Sequence, residues 1–350
     1  MSLTLVTGAN GWLGTGLVKT LLNGLPNISS LSKVTEGRQL RCLVLRSSDV
    51  SQLRSLSNKL EIIEGDLFTK DSLKEFFKDA EGATLFHCAG IIHPKLFTNE
   101  LFNVNVSGTK HLLDEAEASS VRRAIIVSSN SPAGANKTPD DLFNENSPYN
   151  PYMKYGKSKM LMEKTINDFK RKSRLETVII RATWLYGRHQ PARQTLFFSM
   201  IKEGKVPIIG DGNNKRSMTY IENLCQGLLL CEYKQIANGQ TYWISDLKPY
   251  TMNEIINTIE DLLEKDFNIP VAHKRIILPY ITSEIAMYMD FMLQSSGLYN
   301  QKIHVLSEMN KNIACSIKKA QEELGYNPKI SLREGMKHSI KWCLDNGHKI

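Results

Sequence analysis

Three side chains near the middle of the chain have the types and spacing for proton transfer. Tyr155 and Lys159 stand four residues apart in Tyr155-Gly156-Lys157-Ser158-Lys159. On a helix that spacing puts both on one face. A free tyrosine has a pKa of about 10 and is a poor base at neutral pH. A lysine one turn away, with a cationic cofactor ring, stabilises the phenolate and lowers that value. Such a tyrosine gives a proton to a carbonyl or takes one from an alcohol, and the lysine can also hold a cofactor ribose. Ser129, in Ser128-Ser129-Asn130, can hydrogen-bond the same substrate oxygen. Ser129 is preferred to Ser128 because it lies deeper into the following loop. The tyrosine-lysine spacing is common on helix surfaces, so its meaning depends on the elements around it.

Those elements begin at the N-terminus. Leu3 to Val6 reads as a strand and runs into Thr7-Gly8-Ala9-Asn10-Gly11-Trp12-Leu13-Gly14, after which a helix is expected to about Leu22. In that context Gly8 permits a tight turn, Gly11 lets a pyrophosphate approach the backbone, and Gly14 lets helix and strand pack closely. A helix N-terminus favours the anion. Gly8, Asn10, Gly11, Trp12, Leu13 and Gly14 are therefore the expected dinucleotide cradle.

Further strands are expected at 40–45, 60–63, 84–88, 124–127 and 177–180. Helical patterns separate several of them, near 72–77, 106–118 and 152–169. Strands joined by helices imply right-handed crossovers and a parallel sheet. The strands are almost wholly apolar, as when helices cover both faces. The expectation is α/β: a Rossmann-type doubly wound parallel sheet with a smaller mixed α/β substrate lobe. Residues 1–181 and about 220–246 form the nucleotide-binding domain; about 182–219 and 247–350 form the lobe. Ser128-Ser129 then ends the fifth strand, at the carboxyl edge where reacting groups gather.

The choice of cofactor turns on the end of the second strand. A carboxylate roughly 20 residues past the turn would bind a ribose hydroxyl and favour NAD. Counting selects Glu36, but it precedes the strand at 40–45. The residue leaving the strand is Arg46, followed by Ser47 and Ser48. A guanidinium with two hydroxyls suits a 2′-phosphate, so NADP is favoured over NAD. The alternative is an arginine stacked on adenine. Asp66, in Gly65-Asp66-Leu67, can accept from the adenine amino group or serve as a turn or helix-cap aspartate. Leu67 and Ala89 are expected beside the cofactor.

Composition narrows the class. The chain has 350 residues, 41% hydrophobic and 23% charged, with a formal net charge of +8. These are ordinary values for a globular protein. The densest basic run, Lys170-Arg171-Lys172 and Arg174, reads as a solvated helix end. It lacks the interleaved aromatics of a single-strand nucleic-acid groove, so no nucleic-acid partner is expected. The six cysteines form no CxxC pair, so no metal site is expected and a reducing cytoplasm fits. The apolar segment 276–293 carries Glu284 and Asp290 and reads as an amphipathic or buried helix, not a membrane span.

Together these motifs carry a family resemblance over nearly the whole chain. TGANGWLG at 7–14, EGDL at 64–67, LFHCAG at 85–90, NVSGT at 105–109, VSS at 127–129, YGKSK at 155–159 and RATWLYG at 181–187 resemble the extended short-chain dehydrogenases. So do GDGNNKRSMTYIENL at 210–224 and KAQEELGYNP at 319–328. That group holds nucleotide-sugar epimerases and dehydratases, 3β-hydroxysteroid dehydrogenases and dihydroflavonol reductase-like enzymes. The resemblance implies Ser129, Tyr155 and Lys159 as catalytic trio, Asn105 as a brace of the active-site backbone, and Arg216 on a substrate diphosphate. It also implies a homodimer through helices near 106–118 and 152–169. Ala83, Ala182 and Ser217 depart from the family pattern, and Ser217 weakens the sugar-epimerase reading.

Two enzymatic readings follow. The first is a nucleotide-sugar 4-epimerase or 4-ketoreductase, with Lys205, Lys215 and Arg193 assisting Arg216. Dehydration is disfavoured because Asn130 and Ser131 stand where an acidic residue would be needed. The second is an NADPH-dependent carbonyl reductase or 3β-hydroxysteroid dehydrogenase-like enzyme on an apolar substrate. Its support is Arg46 and the apolar clusters 196–200 and 287–292, which core or lid packing also explains. His93 and His189 could line either site. A non-catalytic nucleotide sensor is the remote third reading, disfavoured by retention of the trio.

Overall fold

The computed structural model describes residues 2–32 and 37–350; Glu36 lies outside them. In chain order the first half comprises β1 (Ser2–Thr7), α1 (Trp12–Asn23), β2 (Arg38–Val44), α2 (Ser51–Leu56), β3 (Glu61–Glu64), α3 (Lys70–Phe76), β4 (Thr84–His87), α4 (Asn99–Phe102), α5 (Thr109–Ala118), β5 (Arg123–Ser129), α6 (Met153–Lys170) and β6 (Glu176–Ala182). The second half comprises β7 (Trp184–Tyr186), α7 (Ala192–Lys202), β8 (Pro207–Ile209), β9 (Lys215–Arg216), β10 (Met218–Tyr220), α8 (Ile221–Tyr233), β11 (Thr241–Ile244), β12 (Tyr250–Thr251), α9 (Met252–Lys265), β13 (Ile276–Leu278), α10 (Tyr280–Ser295), α11 (Gln301–Glu308) and α12 (Leu332–Asp345).

Seven strands form one parallel sheet in the order β11-β6-β5-β4-β1-β2-β3. This is the doubly wound sheet expected from the sequence. The order reverses between β1 and β4, so a crevice opens beyond their carboxyl ends. Alternate side chains leave each strand on opposite faces. Val6, Phe86, Ile125 and Val178 pack with α1 and α8. Leu5, Leu85, Ile126 and Ile179 pack with α3, α5 and α6. Both faces are dry, which explains the continuous apolar runs.

The rest of the second half has its own core. Phe198, Ile201, Tyr220, Ile255, Ile259, Leu263, Met336 and Ile340 pack together. The strongest local helix signal there is the reciprocal cap of α9, where Thr251 and Glu254 each satisfy the other's backbone N–H. One expected helix differs: that at 106–118 begins as a π-helical turn over Asn103–Gly108 before α5. Near the C-terminus a π-type segment, Ala320–Leu324, is stopped by Gly325 in the left-handed region at φ 70°.

Candidate active site

The glycine turn forms as its spacing requires. Gly8 has φ 65°, and a Cβ there would lie 2.7 Å from the Ala89 backbone nitrogen. A Cβ on Gly14 would lie 2.0 Å from the Gly8 carbonyl oxygen. No larger residue fits either place. Gly11 is the N-cap of α1 and supplies no side-chain cap, leaving the first helical N–H groups for an anion. The Trp12 side chain donates to the Arg188 carbonyl at 2.8 Å, so at that residue only the backbone serves the turn. The residues thus fit a dinucleotide pyrophosphate.

The three proton-handling candidates meet at the carboxyl end of β5. Ser129 is the last residue of β5 rather than part of the loop, and the two serines point to different surroundings. Ser128 donates to Glu163 Oε1 at 2.6 Å inside the core. Ser129 lies on the opposite side, where it acts on the Tyr155 phenol and favours its ionised form. Its Oγ also lies 3.2 Å from both Asn130 Oδ1 and Ser131 Oγ. Lys159 is buried; its Nζ donates to the Val127 carbonyl at 3.1 Å. A Cβ on Gly90 would lie 3.4 Å from that Nζ, so the small residues after β4 leave room beside Lys159.

The electrostatics differ from the sequence expectation. Burial pushes the Tyr155 phenol up to about 12; Ser129 opposes this and Glu308 adds to it. Burial pulls the Lys159 ammonium down to about 8, against the nearby Glu163 charge. Desolvation disfavours the charged form of each group. Protein groups alone therefore make Tyr155 a retained acid, not the depressed phenol expected from its lysine neighbour.

Residues that the spacing did not single out hold the trio in place. Glu163 continues the stripe of Tyr155 and Lys159 by one more helical turn. Its fully buried carboxylate accepts from Arg181 Nη2 at 2.8 Å, Tyr149 at 2.9 Å and Ser128. This network fixes the rotation of α6 against β5 and β6. The repeat of polar residues at i, i+4 and i+8 was the available signal. Asn105 sits in the π-helical turn. Its Oδ1 accepts from Ile91 N at 2.9 Å, and its Nδ2 donates to Ile91 O at 2.9 Å and Ser158 Oγ at 3.0 Å. It braces residues 90–91 against α6. Buried His87 bridges Thr7 and Thr109 at 2.7 and 2.9 Å, and burial holds it down at about 3, hence neutral.

Other cofactor candidates divide. Arg46 is exposed beyond the end of β2, and its charge reaches Asp66. Asp66 is a turn aspartate: Oδ1 accepts from Phe68 N and Thr69 N, each at 2.7 Å, and Oδ2 from Thr69 Oγ1 at 2.9 Å. Partial burial opposes its ionisation, but these bonds and Arg46 outweigh it and lower its pKa. The Leu67 side chain is buried in the sheet core, so only its backbone can face a cofactor. Ala89 donates its N–H to Thr7 Oγ1 at 3.3 Å, across the switch point.

Arg216 lies on β9, away from the trio in sequence but within a buried polar group. Its Nη2 donates to the Glu308 carbonyl, and its buried Nε has no hydrogen-bond partner. Burial lowers its pKa, opposed by Glu308 and Tyr152. An unsatisfied guanidinium donor is costly and matches an anionic oxygen. Lys205 and Lys215 are not brought to it: they pair with Glu203 at 2.8 Å and Asp140 at 3.1 Å. His93 bonds the Tyr299 hydroxyl at 2.5 Å. His189 bonds Gln52 and packs on Trp342. Near His93 stands a pair that no spacing indicated. His304 Nδ1 lies 2.7 Å from Asp290 Oδ2, with Gln294 donating to Asp290 Oδ1 at 2.8 Å. Gln294 in turn accepts from the Lys154 N–H at 2.9 Å, one residue before Tyr155. Burial opposes the His304 imidazolium, but Asp290 and Glu308 outweigh it and raise its pKa. Among the described residues no cluster of three or more His, Cys, Asp or Glu could hold a metal ion.

Comparison with known proteins agrees with this architecture. The protein y4nL of Sinorhizobium fredii, described as uncharacterized, is 49% identical over 99% of this chain and 96% of its own. An N-acetyl-alpha-D-glucosaminyl-diphospho-ditrans,octacis-undecaprenol 4-epimerase of Escherichia coli O157:H7 is 27% identical over 79% of this chain and 75% of its own. Among solved structures, the dTDP-glucose 4,6-dehydratase DesIV of Streptomyces venezuelae with NAD bound superposes with TM-score 0.75. It is 22% identical, over 98% of this chain and 97% of its own. The UDP-glucuronic acid 4-epimerase of Bacillus cereus with NAD also gives 0.75, at 19% identity over 98% and 99%. The model of the NAD dependent epimerase/dehydratase family matches residues 4–245. The chain therefore belongs to that family and is an enzyme of its oxidoreductase and epimerase type.

Proposed function

We propose that this enzyme interconverts a hydroxyl and a ketone at C4 of a sugar carried on a diphosphate, as a 4-epimerase or 4-ketoreductase. The observation that carries the reading is the meeting of Ser129, Tyr155 and Lys159 beside the glycine cradle. A nicotinamide dinucleotide held in the glycine cradle would supply hydride chemistry, in its oxidised form by exchange with the sugar carbon of an epimerase substrate, or in its reduced form by delivery to the ketone of a ketoreductase substrate. Tyr155 moves the hydroxyl proton, Ser129 holds the same oxygen, and Lys159 holds the ribose. The cationic ring would draw the Tyr155 phenol down from its buried value. Arg216, with its unpartnered Nε, holds a phosphate oxygen. The two epimerases and the dehydratase named above carry names of enzymes on sugars linked to diphosphates, which supports that choice. Asn130 and Ser131 stand beside Ser129, where dehydration would need an acid.

The reading as a reductase of apolar carbonyls loses its main support. Phe198 is buried in the lobe core, and Met289, Phe291 and Met292 face outward. The structural neighbours carry NAD, and none of the comparisons favours NADP, so the NADP preference rests on exposed Arg46 with Ser47 and Ser48 after it. A homodimer through α5 and α6 belongs to this reading and is tested by light scattering.

The test is epimerisation or reduction of UDP-, GDP- and dTDP-sugars, followed by NMR. At least one should be turned over. Tyr155→Phe should lower turnover by about 10²–10⁴-fold while nucleotide affinity is kept. Undiminished turnover in that variant would remove the proton-transfer role.

A further inference from the structure

Helix α10 is built inside out. Its buried residues are Ser283, Ala286, Asp290 and Gln294, three of them polar. Its outward face carries Ile281, Ile285, Tyr288, Met289 and Met292, with Ile281 61% and Tyr288 66% exposed. Surface helices ordinarily show the reverse. The apolar surface does not stop at the helix. It starts at Ile277, 72% exposed, on β13. Beyond α10 it continues through exposed Leu298, which bridges to Phe97, and on to exposed Leu96 and Ile92. A contiguous patch of this kind marks an interaction surface.

Charge says what covers it. The outward face of α10 carries one carboxylate, Glu284, at its margin, and Lys311 pairs with it at 2.7 Å. Asp211, beside Tyr280, accepts from Asn213 and from the Tyr280 hydroxyl. Lys95, Lys274 and Lys302 flank the patch along the chain, are exposed, and form no ion pair among the described residues. The whole chain is formally +8. Exposed apolar side chains flanked along the chain by these three lysines match an anionic bilayer, where lysines meet phosphates and the apolar face enters the acyl boundary. Two copies meeting through this face would bring both sets of these lysines into one contact, because a twofold interface uses the same patch on both sides.

We propose that α10 and the adjoining 92–97 segment dock the enzyme on the surface of an anionic membrane. The helix lies in the interface without crossing it; among the described residues no helix is long and apolar enough to cross. Position gives docking a purpose. The inner face of the same helix holds Asp290 and Gln294, and Gln294 reaches the backbone beside Tyr155. Docking therefore sets the substrate side of the site near the headgroups.

The test is co-flotation of the whole protein with vesicles of phosphatidylcholine and phosphatidylglycerol at roughly 3:1, against phosphatidylcholine alone. Wild type should bind the anionic vesicles at least about tenfold better, less so in high salt. The double variant Ile281→Glu, Ile285→Glu should lose that binding while keeping its thermal midpoint and its turnover of a soluble nucleotide sugar. Ile281→Ser with Ile285→Ser, free of added charge, should weaken it in the same direction. Equal binding by wild type and variants overturns the proposal, as does no binding by wild type. So does a wild-type dimer that the variants convert to monomer in light scattering, since a second copy would then cover the face. Vesicle binding without turnover of any sugar would sink the function and leave docking standing; turnover without vesicle binding would do the reverse.

Discussion

Two walls meet around the start of α6, and they treat charge in opposite ways. On the sheet side, burial drives Tyr155 and Lys159 toward their neutral forms, to about 12 and about 8. On the lobe side, His304 is equally enclosed, yet Asp290 and Glu308 keep its imidazolium favoured. The difference is partnership. Lys159 donates to a carbonyl, a neutral acceptor, whereas His304 has a carboxylate at 2.7 Å. A lysine poised near its pKa suits a reacting centre. A histidine whose charged form is favoured by a carboxylate partner suits a fixed support.

The largest test of this contrast is Glu163→Ala. It leaves the Arg181 guanidinium buried without its counter-ion and removes the acceptor of Ser128 and Tyr149. Urea unfolding should show a loss of about 3–5 kcal/mol, and turnover should fall with it as α6 loosens. Glu163→Gln should recover part of both. A loss under about 1 kcal/mol, the level of an exposed pair, would show that α6 is held by packing alone.

His304→Gln should have a smaller effect, and one that depends on pH. The folded pKa of His304 is raised above its ordinary value of about 6.5. Its pair with Asp290 therefore stabilises fully at pH below that value and less as pH rises through the folded pKa. The wild-type thermal midpoint should fall across that window, and the variant should lose that step. An identical pH profile in both would place the charge elsewhere.

The smallest effect belongs to the outer rim of the sheet wall. Arg46→Ala removes an exposed charge beside Asp66. If Arg46 meets a 2′-phosphate, NADP affinity should drop by about tenfold, or 1.4 kcal/mol, with NAD affinity unchanged. Titration of both nucleotides reads this directly, and equal losses would assign Arg46 to adenine stacking.

Much of the sheet wall was legible because its information is local. The glycine turn, the strand ends and the four-residue spacing of Tyr155 and Lys159 each arise within one element or one crossover. Even there the phenol's pKa was not legible, since desolvation depends on what the rest of the chain packs around it. The apolar cluster at 287–292 was ambiguous for the same reason. A sequence shows that Met289, Phe291 and Met292 are apolar, but not which side of the helix the protein covers.

The amino-acid sequence by itself determined the doubly wound sheet, the tight glycine turn and the one-turn spacing of Tyr155 and Lys159, because backbone periodicity and glycine sterics are set by neighbours in the chain. Only the tertiary structure decided that Ser129 rather than Ser128 faces Tyr155 and that Glu163 locks α6. It alone paired Asp290 with His304 and turned the apolar side of α10 outward. These depend on helices and strands distant in sequence being brought within a hydrogen bond of each other, or left without a neighbour, and no local spacing encodes that.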